Sequence, residues 1–376
     1  YIFRYLLFSM KKLIFLKFAK DTSVFFLIMC MTVGLIVWTL QAVNYFDFVT
    51  QDGHGLKTYF SYIILNFPKI IHRIIPFIFF ISLFYILTDY EIRNELLIFW
   101  TFGVSKINFA NKIVLLSLVL ATIQICIGGF FSPFTQYKGR EYLKNSNIDF
   151  FTSLIKEGKF INAVKGLTIF IDRKNIDESY SNIFIDDSTK NNSKMIYAKD
   201  GILVDNDRQK IFKLFKGKVI NNEESRINVF EFDQIDFNLK DFTSNTITVP
   251  KVQEISSITL LGCFFPLETK KFDAFNCEES LHKEIKQELL KRIYKPIYIP
   301  LITILCCFLI ITSRNNVNYE KFRKIIFLFT FVILVFSETS LRYSTISTIS
   351  MIIYLVVPWI IFIFAYFIFY NRVKNV

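Results

Sequence analysis

The chain has 376 residues, of which 53% are hydrophobic and 18% aromatic, with a formal net charge of +12. That apolar load excludes a disordered chain, and a mean hydropathy of +0.40 argues against an ordinary soluble domain. Six cysteines without paired CxxC spacing and three histidines leave little material for a zinc site, while 12 glycines and 8 prolines exclude a collagen-like or linker-dominated chain.

The chain opens on Tyr1 in place of a Met, so a few missing N-terminal residues are expected. Arg4, Lys11, Lys12, Lys17 and Lys20 mark the first segment as an interfacial amphipathic helix. Residues 22–43 then run 22 positions without a charge, enough to cross a hydrocarbon core of about 30 Å. The run is too long for a signal-peptide core, and no small-residue cleavage site follows it. A second apolar stretch, residues 59–88, is interrupted by Lys69, His72 and Arg73. After it comes "TDYEIRNELLIFWTFGVSK", residues 88–106, whose Leu96, Leu97, Phe99, Trp100 and Phe102 are too apolar for an exposed loop. Glu91 and Glu95 have the i,i+4 spacing of one helix face, and Gly103 sits where such a helix would end. Two readings are open for this short helix: docking into a partner's groove, or lying on the lipid surface.

Residues 113–134 form another uncharged stretch of 22, and residues 296–313, 325–337 and 343–370 restore the pattern later. Between them the character changes. Leu167, Ile169 and Ile171 alternate, as do Ile183 and Ile185, and Ile235, Phe237 and Leu239, with polar punctuation such as "DDSTKNNSK", "DND" and "NNEES". Seven or more short strands at that spacing suggest a sandwich or jelly roll. From Ala274 to Ile293 the pattern turns helical and feeds the fourth span. The expected fold is therefore six transmembrane helices with an inserted all-β domain: an N-terminal membrane half at 1–133, holding the short helix at 90–103, a β domain at 134–290, and a C-terminal membrane half at 291–376.

Charge sets the orientation. Residues 134–290 hold 23 Lys/Arg against 24 Asp/Glu, while the remainder holds 21 against 8. Membrane topology explains this split better than nucleic-acid binding. The N-terminus, the 90–112 loop, the 314–324 loop and the tail with Arg372 and Lys374 carry 14 basic residues, all on one side of a six-span arrangement. The positive-inside rule makes that side the cytoplasm and puts the β domain outside.

The sequence holds no GxxxxGK[ST], HExxH or GxSxG, and His54, His72 and His282 are scattered. No catalytic constellation is visible, so any energy must come from another subunit. Cys263 and Cys277 are the two cysteines of the outer domain. An oxidising compartment would permit a bridge between them, and two free thiols are the alternative.

Several segments together resemble the LptF/LptG family of lipopolysaccharide-export permeases. They are the E-x₇-G-x-S stretch from Glu95 to Ser105; "NFPKIIHRIIPF" with its two prolines; "LIKEGKFINAVKGLTIFID", followed by "NIFIDD" and "MIYAKDGILV"; and "ELLKRIYKPIYIP" leading into the fourth span. "WTLQAVNYFD" is closer to the F paralogue than to the G paralogue. Asn94, where the family often has Ser, and the aromatic "FWTF", where small residues are common, depart from the pattern.

The resemblance implies a bacterial inner-membrane, non-enzymatic half-transporter that pairs with an LptG-like paralogue. A cytoplasmic LptB-like ATPase dimer would hold the ATP and Mg, so this chain would carry no cofactor. The periplasmic jelly roll would pass lipopolysaccharide to LptC and through it to LptA. ATP binding and hydrolysis would close a cavity lined by helices 1, 2, 3 and 5. Glu91, Glu95, Leu96, Phe99, Trp100, Phe102 and Gly103 would make up the coupling element, with Trp100 and Phe102 in the ATPase groove. Lys57, Lys69, Arg73, Lys138, Arg140, Lys291, Arg292, Lys295 and Arg342 all fall at outer helix ends. They are candidates to meet lipid A phosphates, with snorkelling to ordinary headgroups as the alternative. The jelly-roll interior reads equally as a closed core or an open lipid conduit. Two rival functions stand beside export: a mechanotransmitting permease-like subunit that moves no lipid, and a periplasmic sensor.

Overall fold

The computed structural model describes residues 2–46, 56–154, 157–164, 167–175, 177, 179–188, 193–206, 209–223, 226–238, 251–264, 277, 279–312 and 316–374. His54, Leu239, Ala274 and the final Asp47 of "WTLQAVNYFD" lie outside these residues. The helices are α1 (Ile2–Asn44), α2 (Leu56–Ile92), α3 (Glu95–Thr101), α4 (Lys106–Cys126), α5 (Ser132–Leu154), α6 (Ser257–Gly262), α7 (His282–Leu289), α8 (Tyr298–Cys307), α9 (Tyr319–Tyr343) and α10 (Thr348–Lys374). The strands are β1 (Lys159–Val164), β2 (Leu167–Lys174), β3 (Ser179–Asp187), β4 (Ser193–Asn206), β5 (Gln209–Glu223) and β6 (Arg226–Asn238).

Among the described residues, six stretches are long and apolar enough to cross a membrane: Lys12–Asn44, Leu56–Ile92, Lys106–Leu143, His282–Ile310, Tyr319–Tyr343 and Thr348–Lys374. The expected interfacial helix is not a separate element. It is the start of α1, which runs unbroken because nothing between Ile2 and Asn44 interrupts the hydrogen-bond ladder. The fourth span is the most enclosed, and every residue of α8 is buried.

The chain divides into two compact units. One comprises Tyr1–Leu40, Leu65–Tyr137 and Lys251–Val376, and the other Gln41–Ile64 and Lys138–Pro250. Residues 251–290, assigned to the β domain from sequence, therefore group with the helices. The reason is local packing: Ile255, Leu260, Ile285 and Leu289 form a cluster that joins α6 to α7 at the head of the fourth span.

Two helices of the first unit change pitch. Ile127–Phe131 and Leu290–Tyr294 are π-turns, wider than an α-turn, and they pack against each other. Gly128 is required at the first of them. A Cβ there would lie 2.2 Å from the His72 ring.

The described strands of the β unit form one antiparallel sheet in the order β1-β2-β3-β4-β5-β6. The described strands are six, fewer and longer than the seven or more short ones expected. β4 carries straight through "KDG", which parts the apolar runs 195–198 and 202–204, and β6 spans both the run 226–232 and the one at Ile235 and Phe237. What had suggested separate strands is a crease. The ladder skips Asp172, Asn182, Lys199, Lys216 and Asp233, which lie in one row across β2 to β6. In β3 to β5 two consecutive residues there face away from the core (181 and 182, 199 and 200, 215 and 216), so the alternation slips by one. Asn182 and Lys216 adopt φ of 52° and 51° to allow it. The slip lets residues on both sides of the crease, such as Ile185 and Ile196 below and Tyr180 and Phe212 above, share one core. Gly217 follows the crease, where a Cβ would meet the Tyr197 carbonyl oxygen at 2.0 Å. Gly217→Val should therefore destabilise the β unit by about 3 kcal/mol, read as faster cleavage of residues 138–250 in limited proteolysis.

Candidate functional site

The elbow between the second and third spans is built by one turn residue. α2 ends at Ile92, and Asn94 takes φ 58°, a left-handed conformation that Asn tolerates better than most residues. This breaks the helix between Glu91 and Glu95, so the two carboxylates do not share one helix face as their spacing suggested. Glu91 stays on the end of α2, and Glu95 opens α3. Gly103, at φ 74°, closes α3, with its N–H donating to the Trp100 carbonyl and the Val104 N–H to the Phe99 carbonyl. Ser105 then caps α4, accepting from the Asn108 N–H at 3.3 Å.

The two faces of α3 do different jobs. Leu96 and Phe99 are buried, Phe99 lying against Tyr90 and Phe109 at ring separations of 5.8 and 5.7 Å. Trp100 turns the same way, 5.6 Å from Phe109, with the Lys106 ammonium 5.9 Å from its ring centre. Leu97, Ile98 and Phe102 face outward, 59%, 49% and 37% exposed. So three of the expected coupling residues serve the protein's own core, Phe102 is available, and Leu97 and Ile98 join it. Sequence spacing could not choose the face, because both faces are apolar.

The outer cations separate equally clearly. Lys69, Arg73, Lys291 and Arg292 line one small cavity of about 10 Å³, room for about one water, together with His72 and Glu288. Arg292 is 1% exposed and is a structural clamp. It donates to the carbonyls of Ile255 and Gln253 at 2.8 Å each, to Ser257 Oγ at 3.1 Å, and to Glu288 at 3.0 Å. Ser257 in turn donates to the Gly129 carbonyl at 2.6 Å, so the clamp ties the two π-turns together. Lys291 also pairs with Glu288, at 2.9 Å, and buried Lys295 pairs with Glu338.

Lys69 and Arg73, one turn apart on α2, make no hydrogen bond or ion pair among the described residues; Lys69 is half-buried and Arg73 exposed. Arg342 is exposed at the end of α9. Lys138 and Arg140 belong to the other unit, where Lys138 lies 3.9 Å from Glu141. Lys57 is exposed near the start of α2. The distinction was not legible in sequence, because each partner is remote in the chain or shares its helix with several cations.

Cys263 and Cys277 are joined by a disulfide, with Cα atoms 5.7 Å apart.

A family model described as lipopolysaccharide export system permease LptF/LptG matches residues 18–372. The chain belongs to this family. Its six apolar helices and inserted β domain are those of a multi-pass membrane protein. An uncharacterized protein of Rickettsia prowazekii (strain Madrid E) is 25% identical over 201 residues, covering 53% of this chain and 56% of that protein. The chain thus spans little more than half the length of that curated relative.

Because Arg292 is buried among acceptors, Arg292→Ala should cost about 3 kcal/mol by stranding the Ile255 and Gln253 carbonyls and leaving Glu288 to Lys291 alone. Arg73→Ala should change stability by less than about 0.5 kcal/mol. Thermal unfolding of the detergent-solubilised protein separates the two.

Proposed function

We propose that this LptF/LptG permease is one membrane half, of the F type, of a lipopolysaccharide exporter in the bacterial inner membrane. It would take the lipid from the outer leaflet and hand it to a periplasmic β bridge, driven by an ATPase carried on separate subunits. The observation that carries the reading is the family match over residues 18–372. The partners are an LptG-like paralogue, an LptB-like ATPase dimer, and LptC with LptA beyond it.

Two independent features support the orientation. Basic residues crowd the side of the elbow and the termini. The disulfide lies on the opposite side of a six-span path, where an oxidising compartment sustains it.

At the elbow, Leu97, Ile98 and Phe102 form the face that docks on the ATPase, while Leu96, Phe99 and Trp100 anchor α3 from behind. A short helix held on one side by aromatic packing transmits a push instead of swivelling. At the outer end, Lys69 and Arg73 face an anionic headgroup; their charge-assisted hydrogen bonds to lipid A phosphates would orient the substrate. Arg292, which lines the same small cavity, shapes the wall behind them. Work is done by differential affinity: the lipid leaves when the closed state binds it less well than the open state.

Two experiments test this. Leu97→Asp combined with Ile98→Asp should abolish co-purification of the ATPase in mild detergent while the chain stays folded; retained ATPase rejects the docking face. Lys69→Glu combined with Arg73→Glu should reduce lipopolysaccharide photocrosslinking about tenfold or more. Undiminished crosslinking in a folded complex rejects the phosphate role. A wild-type complex that crosslinks no lipid at all would favour the mechanotransmitting alternative.

A further inference from the structure

Lys17 and Asp21 lie one turn apart on α1, and both reach the elbow. Lys17 Nζ is 2.8 Å from Glu95 Oε2, the first residue of α3, and 5.7 Å from the centre of the Tyr90 ring on α2. The Tyr90 hydroxyl donates to Asp21 Oδ2 at 2.5 Å. Between these polar contacts Phe18, fully buried, meets Tyr90 edge-on at 5.4 Å and Phe109 of α4 at 5.0 Å. One face of α1 therefore grips both sides of the Asn94 turn: Tyr90 before it and Glu95 after it.

The helices available to carry motion from the elbow differ in stiffness. α2 contains Pro68 and Pro76, each of which removes a backbone N–H and clashes with the turn before it. α1 has no proline and no break over 43 residues, a rod of about 65 Å at 1.5 Å per residue. A displacement of its Lys17 end must reach its far end, whereas α2 can absorb the same displacement at its prolines.

We infer that Lys17 and Asp21 are positioning residues that couple the docking helix to α1, making α1 the lever that carries nucleotide-driven motion from the elbow to the outer half of the permease. The inference rests on the proposal that α3 docks an ATPase, and it adds which helix receives the stroke. The Lys17–Glu95 pair is solvent-facing, its lysine side chain 58% exposed, so it adds little stability. Its effect is directional. It holds Glu95 from behind while Leu97, Ile98 and Phe102 face the partner.

The test uses the whole exporter, with its ATPase, in proteoliposomes containing lipopolysaccharide, and reads lipid moved per ATP hydrolysed. Lys17→Ala and Asp21→Asn should leave ATPase co-purification and hydrolysis rate at wild-type levels while lowering lipid moved per ATP about tenfold. Lys17→Arg, which keeps the charge and the reach, should restore the ratio. A residue that merely supported folding would lower the yield of complex and leave the ratio unchanged.

An unchanged ratio in Lys17→Ala and Asp21→Asn overturns the lever, and so does loss of the ATPase from either variant. The docking proposal fails separately, if the Leu97→Asp, Ile98→Asp variant still retains the ATPase. If that variant loses the ATPase while Lys17→Ala stays coupled, the lever alone falls.

Discussion

Leu27, Ile28, Met31, Leu35 and Ile36 on α1, and Ile349, Ile352, Ile360 and Ile363 on α10, point away from the protein's own core with half or more of their surface exposed. Hydrocarbon is the solvent that such surfaces demand, and it imposes one rule on the backbone: every amide must find its partner inside the segment that carries it. The helical architecture follows from that rule. So does the placement of everything polar, because in a low-dielectric surrounding a lone charge or open carbonyl is costly.

The irregular parts of the first unit show how the rule is met where the helices depart from ideal pitch. Two π-turns widen the third and fourth spans, and Arg292 reaches across to the carbonyls of Ile255 and Gln253 while Ser257 satisfies Gly129. Lys295 sits at a tight turn in the fourth span and pairs with Glu338 of the next helix. These cations serve architecture. Lys69 and Arg73 have no such partner among the described residues, which is why they are the pair we propose to meet an anionic headgroup.

The same division of labour recurs at the elbow and in the β unit. α3 commits one apolar face to its own core and leaves the other open. The sheet commits both sides of its crease to one core by slipping its alternation in the row from Asn182 to Lys216. At the elbow the open surface exists because the opposite surface is locked.

Long uncharged runs, period-2 alternation and the charge split were enough to read six spans and an inserted β domain, because these depend on residue type and spacing alone. The family was legible for the same reason, since its motifs are local. Local spacing misled where a single backbone choice intervened: Asn94 parted Glu91 from Glu95, and the crease hid the continuity of β4 and β6. Which apolar face of α3 stays open, which outer cations are already engaged, and the grip of Lys17 and Asp21 on the elbow were decided by tertiary structure. Each depends on which side chains meet across different helices, such as Glu95 for Lys17, Phe109 for Phe99 or Ile255 for Arg292, and a sequence pattern has no means of showing those meetings.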